Sequence, residues 1–188
     1  MAKREKPRTA SFHVALLRGI NVGGKNKLPM KELVEIFTDA DARDVLTYIQ
    51  SGNIVFRASA ALARRLPAVV AKAISNRFGF EVPVVVRTAE ELRRVARANP
   101  FLRAGRKEGA LLVSFLASEP SPTQARALDP DRSSPDEFEL RGREIYLYCP
   151  NGIGRTKLTN AYFDSKLATT STVRNWKTVL RLVELSGG

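Results

Sequence analysis

Apolar positions in the first half of the chain alternate between strand-like and helical periods, and these periods predict six elements. Ser51-Gly52 separates two β-rich segments and is typical of a hairpin turn. In chain order the prediction is a strand at Phe12–Arg18, a helix after Pro29, strands at Val45–Gln50 and Asn53–Arg57, a helix at about Ala60–Phe78 and a strand at Glu81–Arg87. This order is that of a split βαβ, or ferredoxin-like, unit.

The second half predicts the same order of elements without its last strand. The predicted elements are a helix at Ala89–Ala98, a strand at Ala110–Ala117, a short helix at Thr123–Leu128, a hairpin of Phe138–Leu140 with Glu144–Tyr148, and helices at about Thr156–Leu167 and Thr172–Leu185. We therefore predict an α+β protein with two ferredoxin-like lobes, the second lacking a final strand and ending in helices. The predicted divisions are a disordered basic tail at 1–10, a first lobe at 11–98 and a second lobe at 99–188.

Composition adds little to the fold but limits the setting. A chain of 188 residues with 44% hydrophobic content can bury a real core. No run approaches the roughly 20 apolar residues of a membrane helix, so no membrane association is expected. The charged start, MAKREKPRTA, is unlike a secretory signal. With the lone Cys149, these features predict a cytoplasmic protein without disulfides.

Few residues suggest catalysis or metal binding. One histidine and one cysteine argue against a zinc site, which needs three or four ligands of suitable type. We predict no metal and no cofactor. His13 lies within a strand without an obvious acid partner, and Cys149 precedes a basic loop that could lower its pKa, but no candidate base stands beside it in sequence.

The net charge of +12 favours partners that carry phosphate, such as a nucleotide or nucleic acid. Compositional bias toward arginine and alanine would explain the same charge, so the total leaves both interpretations open. The distribution is more informative than the total. Basic residues are concentrated at 57–107 and 155–181, whereas acids are concentrated at 119–144.

The segment RGINVGGKNKLP, residues 18–29, joins the first strand to the first helix and contains no acid. Glycines there can take positive φ and let backbone N–H groups converge on an anion. The helix start adds a partial positive charge. The candidate anion- or phosphate-binding residues are Arg18, Asn21, Gly23, Gly24, Lys25, Asn26 and Lys27. A glycine turn that serves folding alone remains an alternative.

Part of this segment, Gly19–Asn26, fits G-x-x-x-x-G-K-N, one residue short of the phosphate-binding loop of ATPases. Asn26 stands where the hydroxyl that binds magnesium is needed, and Pro29 places the helix start too late. No strand ends in a second magnesium ligand. A nucleotide hydrolase of this class is therefore not the preferred interpretation.

Two further clusters could extend the site. In a split βαβ unit the third strand pairs with the first, so the hairpin lies beside the glycine-rich loop. Its candidate ligand contacts, which suit a base or sugar, are Tyr48, Gln50, Ser51 and Asn53. The second basic cluster is Gly154, Arg155, Lys157 and Arg174, with Thr156 as a helix N-cap. A tight turn and a solvated helix face are the structural alternatives for these two clusters.

Four segments, in order along nearly the whole chain, carry a family resemblance. They are ALLRGINVGGKNKLPM (Ala15–Met30), TYIQSGNIVF (Thr47–Phe56), NGIGRTKL (Asn151–Leu158) and TVRNWKTVLRL (Thr172–Leu182). Together they resemble the bacterial domain-of-unknown-function family 1697. The resemblance implies a two-lobed, ferredoxin-like α+β fold and no assigned activity. Arg155-Thr156 departs from the family, in which a serine often precedes the lysine.

The sequence thus leads to a protein of unknown function whose best hypothesis is binding of a phosphate-bearing ligand, nucleotide or nucleic acid, through the loop at 18–27. An enzyme acting on a phosphorylated small molecule in the same site is the second hypothesis. A structural or interaction protein without a ligand is the third. The strands lack the aromatic signature of RNA recognition motifs, which weakens the RNA version.

Overall fold

The computed structural model describes residues 10–187, which form two compact units. The first unit comprises residues 10–90 and 185–187, and the second comprises residues 91–184. Residues 1–9 of the predicted basic tail lie outside the described residues. Each unit has one four-stranded antiparallel sheet. The predicted α+β class is therefore confirmed.

The first unit contains the six elements that the sequence predicts, in the predicted order. They are β1 (Ser11–Leu17), α1 (Met30–Asp39), β2 (Arg43–Tyr48), β3 (Asn53–Ala58), α2 (Ala60–Phe78) and β4 (Val84–Thr88). The strand order is β2-β3-β1-β4, so β1 is central and pairs with both β3 and β4. The Ser59 side chain caps α2 by accepting from Leu62 N, and Gly79, at φ +75°, ends it.

Alternation along the strands places one set of side chains against the helices of this unit. Ala15, Leu17, Ile54 and Phe56 belong to one buried cluster with the apolar side chains of α1 and α2. From the helices, this cluster receives Leu33, Ile36, Phe37, Leu62, Ala63, Leu66, Val70 and Ile74. Burial of this many aliphatic and aromatic side chains supplies the main stabilisation of the unit, at about 1.5–3 kcal/mol for each large side chain.

The second unit follows the same order after two connecting helices. Its elements are α3 (Ala89–Arg97), α4 (Pro100–Arg103), β5 (Leu111–Leu116), α5 (Pro122–Arg126), β6 (Glu137–Arg141), β7 (Glu144–Tyr148), α6 (Asn160–Leu167), β8 (Ser171–Asn175) and α7 (Trp176–Leu185). The strand order is β6-β7-β5-β8, with β5 central. The hydroxyl of Tyr146 on β7 donates to the Val95 carbonyl of α3, 3.2 Å away, which fixes α3 against this sheet.

The prediction that the second lobe lacks a final strand is wrong. Residues 171–175 form β8 and pair antiparallel with β5 from Leu112↔Asn175 to Leu116↔Ser171, although a helix was predicted from Thr172 onward. The apolar residues Val173 and Trp176 are three positions apart, as on one face of a helix, but pairing with β5 determines the backbone conformation of residues 171–175. Asn175 then accepts from Thr178 N at 2.8 Å and caps the shorter helix α7.

The start of α6 also differs from the prediction. The helix begins at Asn160, and its N-cap is Thr159, whose hydroxyl accepts from Tyr162 N at 3.2 Å. Thr156, predicted as the cap, instead accepts from Leu158 N at 3.1 Å in the preceding loop. Within residues 10–187, no helix has the length and apolar character needed to cross a membrane.

Candidate functional site

The glycine-rich loop of the first unit is a miniature hairpin. Gly23 and Gly24 have φ of +59° and +75°, values that two consecutive residues adopt in a type I′ turn. Across this turn Lys25 N donates to Val22 O, and Asn21 N donates to Asn26 O, both at 3.1 Å. These two N–H groups therefore serve the turn, although the sequence suggested that the loop amides converge on an anion.

Two asparagine side chains hold the base of this hairpin. The Asn21 amide donates to Leu28 O at 2.9 Å and to Gln50 O at 3.0 Å, and its oxygen accepts from Leu28 N at 2.8 Å. The Asn26 amide donates to Gly19 O at 2.9 Å. Both asparagines have positive φ, +54° and +50°, which asparagine tolerates better than most residues. Asn21 and Asn26 thus organise the loop, and their amides are engaged within the chain.

The β2–β3 hairpin lies beside this loop because β3 pairs with β1. Leu17 N donates to Gly52 O at 2.8 Å, and an added Cβ on Gly52 would lie 2.7 Å from the Leu17 Cβ. Asn53 is fully buried, and its amide donates to Tyr48 O and to Ser51 Oγ. Asn53 and Ser51 therefore close the turn, while the Gln50 side chain remains exposed.

An open cleft of about 640 Å³ lies between the loop, the start of α1 and the hairpin. Its lining residues are Asn21, Gly24, Lys27, Leu28, Pro29, Met30, Lys31 and Gln50. The structure thus brings together members of both predicted clusters, the loop and the hairpin. The contribution of residues 28–31 was not predicted from the sequence, although Lys31 is visible there as a basic residue just after the predicted start of the helix.

The charge around this cleft is one-sided. Lys27 and Lys31 line it, and Lys25 is exposed on the neighbouring turn. The lining residues include no carboxylate. Glu32, the acid in the first turn of α1, is engaged with Arg77 of α2 at 3.1 Å. The cleft is therefore suited to a negatively charged group.

The loop differs in geometry from the phosphate-binding loop of ATPases, as the sequence indicates. The helix begins at Met30, five residues after Lys25. The preceding strand belongs to an antiparallel sheet. The lysine and the helix start are therefore not joined by one continuous nest of amides, as that class of loop requires.

The second basic cluster is only partly at the surface. Arg155 and Lys157 are exposed on the loop before α6, and Lys157 N donates to Ser133 Oγ at 2.9 Å. Ser133 Oγ donates in turn to the buried Asp136 carboxylate at 2.7 Å. These bonds fix the loop to the segment before β6.

Arg174 lies in a strand and not in the helix predicted at Thr172–Leu185, so that part of the prediction is wrong. It is on β8, opposite Val113 of β5, and only 8% exposed. Its guanidinium donates to Thr172 Oγ1 and to Val173 O at 2.8 Å. Burial lowers the pKa of Arg174 to about 10, which leaves the side chain charged at neutral pH. Its placement indicates a structural role.

Neither His13 nor Cys149 has the surroundings of a catalytic group. His13 is buried, stacks on Phe56 and lies 2.9 Å from Ser11 O through Nδ1. Burial, and then the nearby Asp136, raises the pKa of the Cys149 thiol to about 11. A hydrogen bond from the Thr156 side chain, in the basic loop that follows, lowers the pKa of Cys149 but does not offset these two effects. Across residues 10–187, no group of three or more His, Cys, Asp or Glu side chains is placed to hold a metal ion.

The comparisons with known proteins agree with the family resemblance of the sequence motifs. A solved structure, that of conserved bacterial protein SP0830 from Streptococcus pneumoniae, has a TM-score of 0.70 and 22% identity; the match covers 95% of this chain and 99% of that one. This likeness shows a shared fold. No curated protein matches the chain. The profile of the family described as "Protein of unknown function (DUF1697)" matches residues 11–146, and the chain therefore belongs to that family.

Proposed function

We propose that the protein binds a phosphate-bearing ligand in the cleft formed by the glycine-rich loop, the start of α1 and the β2–β3 hairpin. The observation that carries the proposal is the pair Lys27 and Lys31 in a cleft of about 640 Å³ without a carboxylate among its lining residues. Each lysine ammonium can contribute a charge-assisted hydrogen bond to a phosphate oxygen.

The helix start supports the same sign of ligand. Pro29, the N-cap of α1, and Met30 and Lys31 of its first turn line the cleft. The first N–H groups of a helix lack partners within the helix. They add a partial positive charge at this end of α1. Because Glu32 is paired with Arg77, it offsets this potential less than an unpaired carboxylate would.

Preorganisation of the loop also supports binding. Asn21 connects the loop to Leu28 and to Gln50, so the two walls of the cleft are joined before any ligand arrives. A ligand that enters a preformed site does not have to order the loop, which reduces the entropic cost of binding. The same bonds would be expected of a purely structural loop, which is the competing proposal.

We propose binding rather than catalysis for this cleft. Its lining residues include no histidine, cysteine or carboxylate that could act as a nucleophile or general base.

The other part of the proposal concerns the fold: the order β-α-β-β-α-β and the strand orders β2-β3-β1-β4 and β6-β7-β5-β8 support a ferredoxin-like topology for each unit. Loops at one sheet edge then form the site.

Thermal unfolding in the presence of pyrophosphate, ribose 5-phosphate and nucleoside phosphates tests the proposal. A ligand that binds only the folded state raises Tm in a concentration-dependent manner. The double variant Lys27→Ala/Lys31→Ala should lose that response. The matched control is Arg64→Ala/Lys72→Ala, which removes the same charge from exposed positions on α2.

An equal loss of the Tm response in the two double variants would show that net charge, and not this cleft, determines binding. No Tm response to any phosphate compound at low salt would remove the proposal and favour the structural interpretation of the loop. Low salt is necessary because exposed lysines are screened over about 8 Å at physiological ionic strength.

A further inference from the structure

We propose that the ligand of this cleft is a nucleoside monophosphate, with its base against Pro29, Met30 and Gln50 and its phosphate held by the lysines of the cleft, Lys27 and Lys31. The inference rests on the proposed function and specifies its ligand. It commits to a small molecule with an apolar, hydrogen-bonding part as well as a phosphate. Inorganic phosphate, a sugar phosphate and a nucleic-acid strand are the alternatives that the experiment separates.

The size of the cleft argues against a ligand as small as inorganic phosphate. Clefts that bind small organic ligands have volumes of about 300–1,000 Å³, and this one has about 640 Å³. A single water takes about 30 Å³ of liquid volume, so a phosphate of a few such volumes would leave most of the cleft wet. A nucleoside monophosphate would occupy much more of it.

The wall of the cleft offers apolar residues next to charged ones. Leu28, Pro29 and Met30 line the cleft consecutively, and a lysine stands on each side of them. Leu28 is 1% exposed and anchors this wall in the core, and Met30 is half-buried against the same core. The apolar surface that is open to a ligand is therefore that of Pro29 and Met30. An apolar surface in a cleft that two lysines also line suits a flat base whose phosphate reaches a lysine ammonium.

Gln50 supplies hydrogen bonds of the kind that a base edge needs. Its backbone carbonyl accepts from the Asn21 amide at 3.0 Å, which fixes the backbone at this position. Its side-chain amide is exposed and makes no hydrogen bond to another residue in the 10–187 range. A carboxamide offers a donor and an acceptor side by side, which matches the donor–acceptor edges of nucleobases.

Titration calorimetry with the common nucleoside monophosphates, ribose 5-phosphate, inorganic phosphate and a short single-stranded oligonucleotide tests this inference. At least one nucleoside monophosphate should bind about tenfold or more tightly than ribose 5-phosphate, because the base adds contacts worth at least about one factor of ten in Kd. Lys27→Ala/Lys31→Ala should weaken the binding of both ligands.

Gln50→Ala is the discriminating variant, because it removes the side-chain amide and leaves the backbone carbonyl that Asn21 uses. It should weaken the binding of the nucleoside monophosphate by roughly three- to tenfold, as for one or two neutral hydrogen bonds. The affinity for ribose 5-phosphate should stay unchanged. Asn76→Ala is the control, since Asn76 is an exposed amide on α2 that does not line the cleft. Amide chemical-shift changes should map to Gln50 and Lys31.

The outcomes separate the inference from the proposed function. If ribose 5-phosphate binds as tightly as every nucleoside monophosphate and Gln50→Ala changes neither, the nucleotide inference is overturned and phosphate binding stands. Binding of the oligonucleotide alone, with a steep salt dependence, would overturn it in favour of a nucleic-acid ligand. If no phosphate compound binds, both proposals fail.

Discussion

The side-chain amide of Asn21 donates to the backbone carbonyl of Gln50, 29 residues later in the chain, at 3.0 Å. This bond connects the glycine-rich loop to the β2–β3 hairpin, the two segments in which the sequence placed candidate ligand contacts. The same amide donates to Leu28 O, and its oxygen accepts from Leu28 N. Asn21 therefore holds the loop, the hairpin and the segment before α1 in one arrangement.

Asn21→Gly should lower the free energy of unfolding by about 1–3 kcal/mol, because it leaves the Leu28 and Gln50 backbone groups without their partner. Glycine is chosen because it accepts the φ of +54° at this position, so the effect reports the lost bonds and not backbone strain. Urea unfolding measures the change. The control is Asn76→Ala. Alanine is used there instead of glycine because Asn76 is helical. A loss no larger than that of Asn76→Ala would contradict the role given to Asn21.

Gly52→Ala should destabilise the first unit far more than Gly79→Ala. Both glycines have φ of +75°, so both substitutions carry the same backbone strain. Only at Gly52 does the new Cβ meet the core, at 2.7 Å from the Leu17 Cβ, whereas nothing lies within 4 Å at Gly79. Overpacking of this kind costs about 1–3 kcal/mol beyond the strain. Equal Tm shifts for the two variants would show that Leu17 moves aside freely.

Ser133→Ala should release the loop before α6. Ser133 Oγ accepts from Lys157 N and donates to the buried Asp136 carboxylate. Its removal leaves that carboxylate and the part-buried Lys157 N–H without this partner, at a cost of about 1–3 kcal/mol. Hydrogen exchange at the Lys157 amide should become faster. Ser165→Ala on the exposed side of α6 is the matched control. Unchanged protection of the Lys157 amide in Ser133→Ala would show that Ser133 does not hold this loop in place.

Cys149 should be slow to react with alkylating reagents in the folded protein at pH 8. The thiol is 1% exposed, and burial followed by the nearby Asp136 raises its pKa from 9.0 to about 11. The reactive thiolate is therefore scarce and inaccessible. Labelling with iodoacetamide, with and without urea, measures the difference. Folded-state labelling as fast as that of the unfolded chain would contradict the buried position.

The same pKa shift predicts how stability depends on pH. The pKa of Cys149 in the folded state is raised above its unfolded value. The stability that the protonated Cys149 thiol contributes is therefore present below pH 9 and is lost as pH rises from 9 toward 11. In that window the unfolded chain releases a proton that the folded chain retains. Cys149→Ala should therefore flatten the decline in unfolding free energy between pH 9 and 11. An unchanged slope in Cys149→Ala would rule out this titration as its source.

Local sequence determined the elements whose signals are short in range. The helix at 60–78 was predictable at both ends, because Ser59 can cap its start and Gly79 can take the left-handed conformation at its end. Gly23-Gly24 was recognisable as a special backbone site, since two consecutive positive φ values favour glycine. The motifs at 15–30, 47–56, 151–158 and 172–182 together likewise indicated the family.

Tertiary structure decided the features that depend on residues far apart in the chain. Residues 171–175 became β8 because β5, about 60 residues earlier in the chain, offered a pairing edge, and Arg174 was thereby buried in a strand. The sequence could propose Asn21 as a ligand contact but could not show that Leu28 and Gln50 would use its amide. Local propensity is read from neighbours along the chain, whereas pairing and hydrogen-bond satisfaction depend on distant partners that only folding supplies.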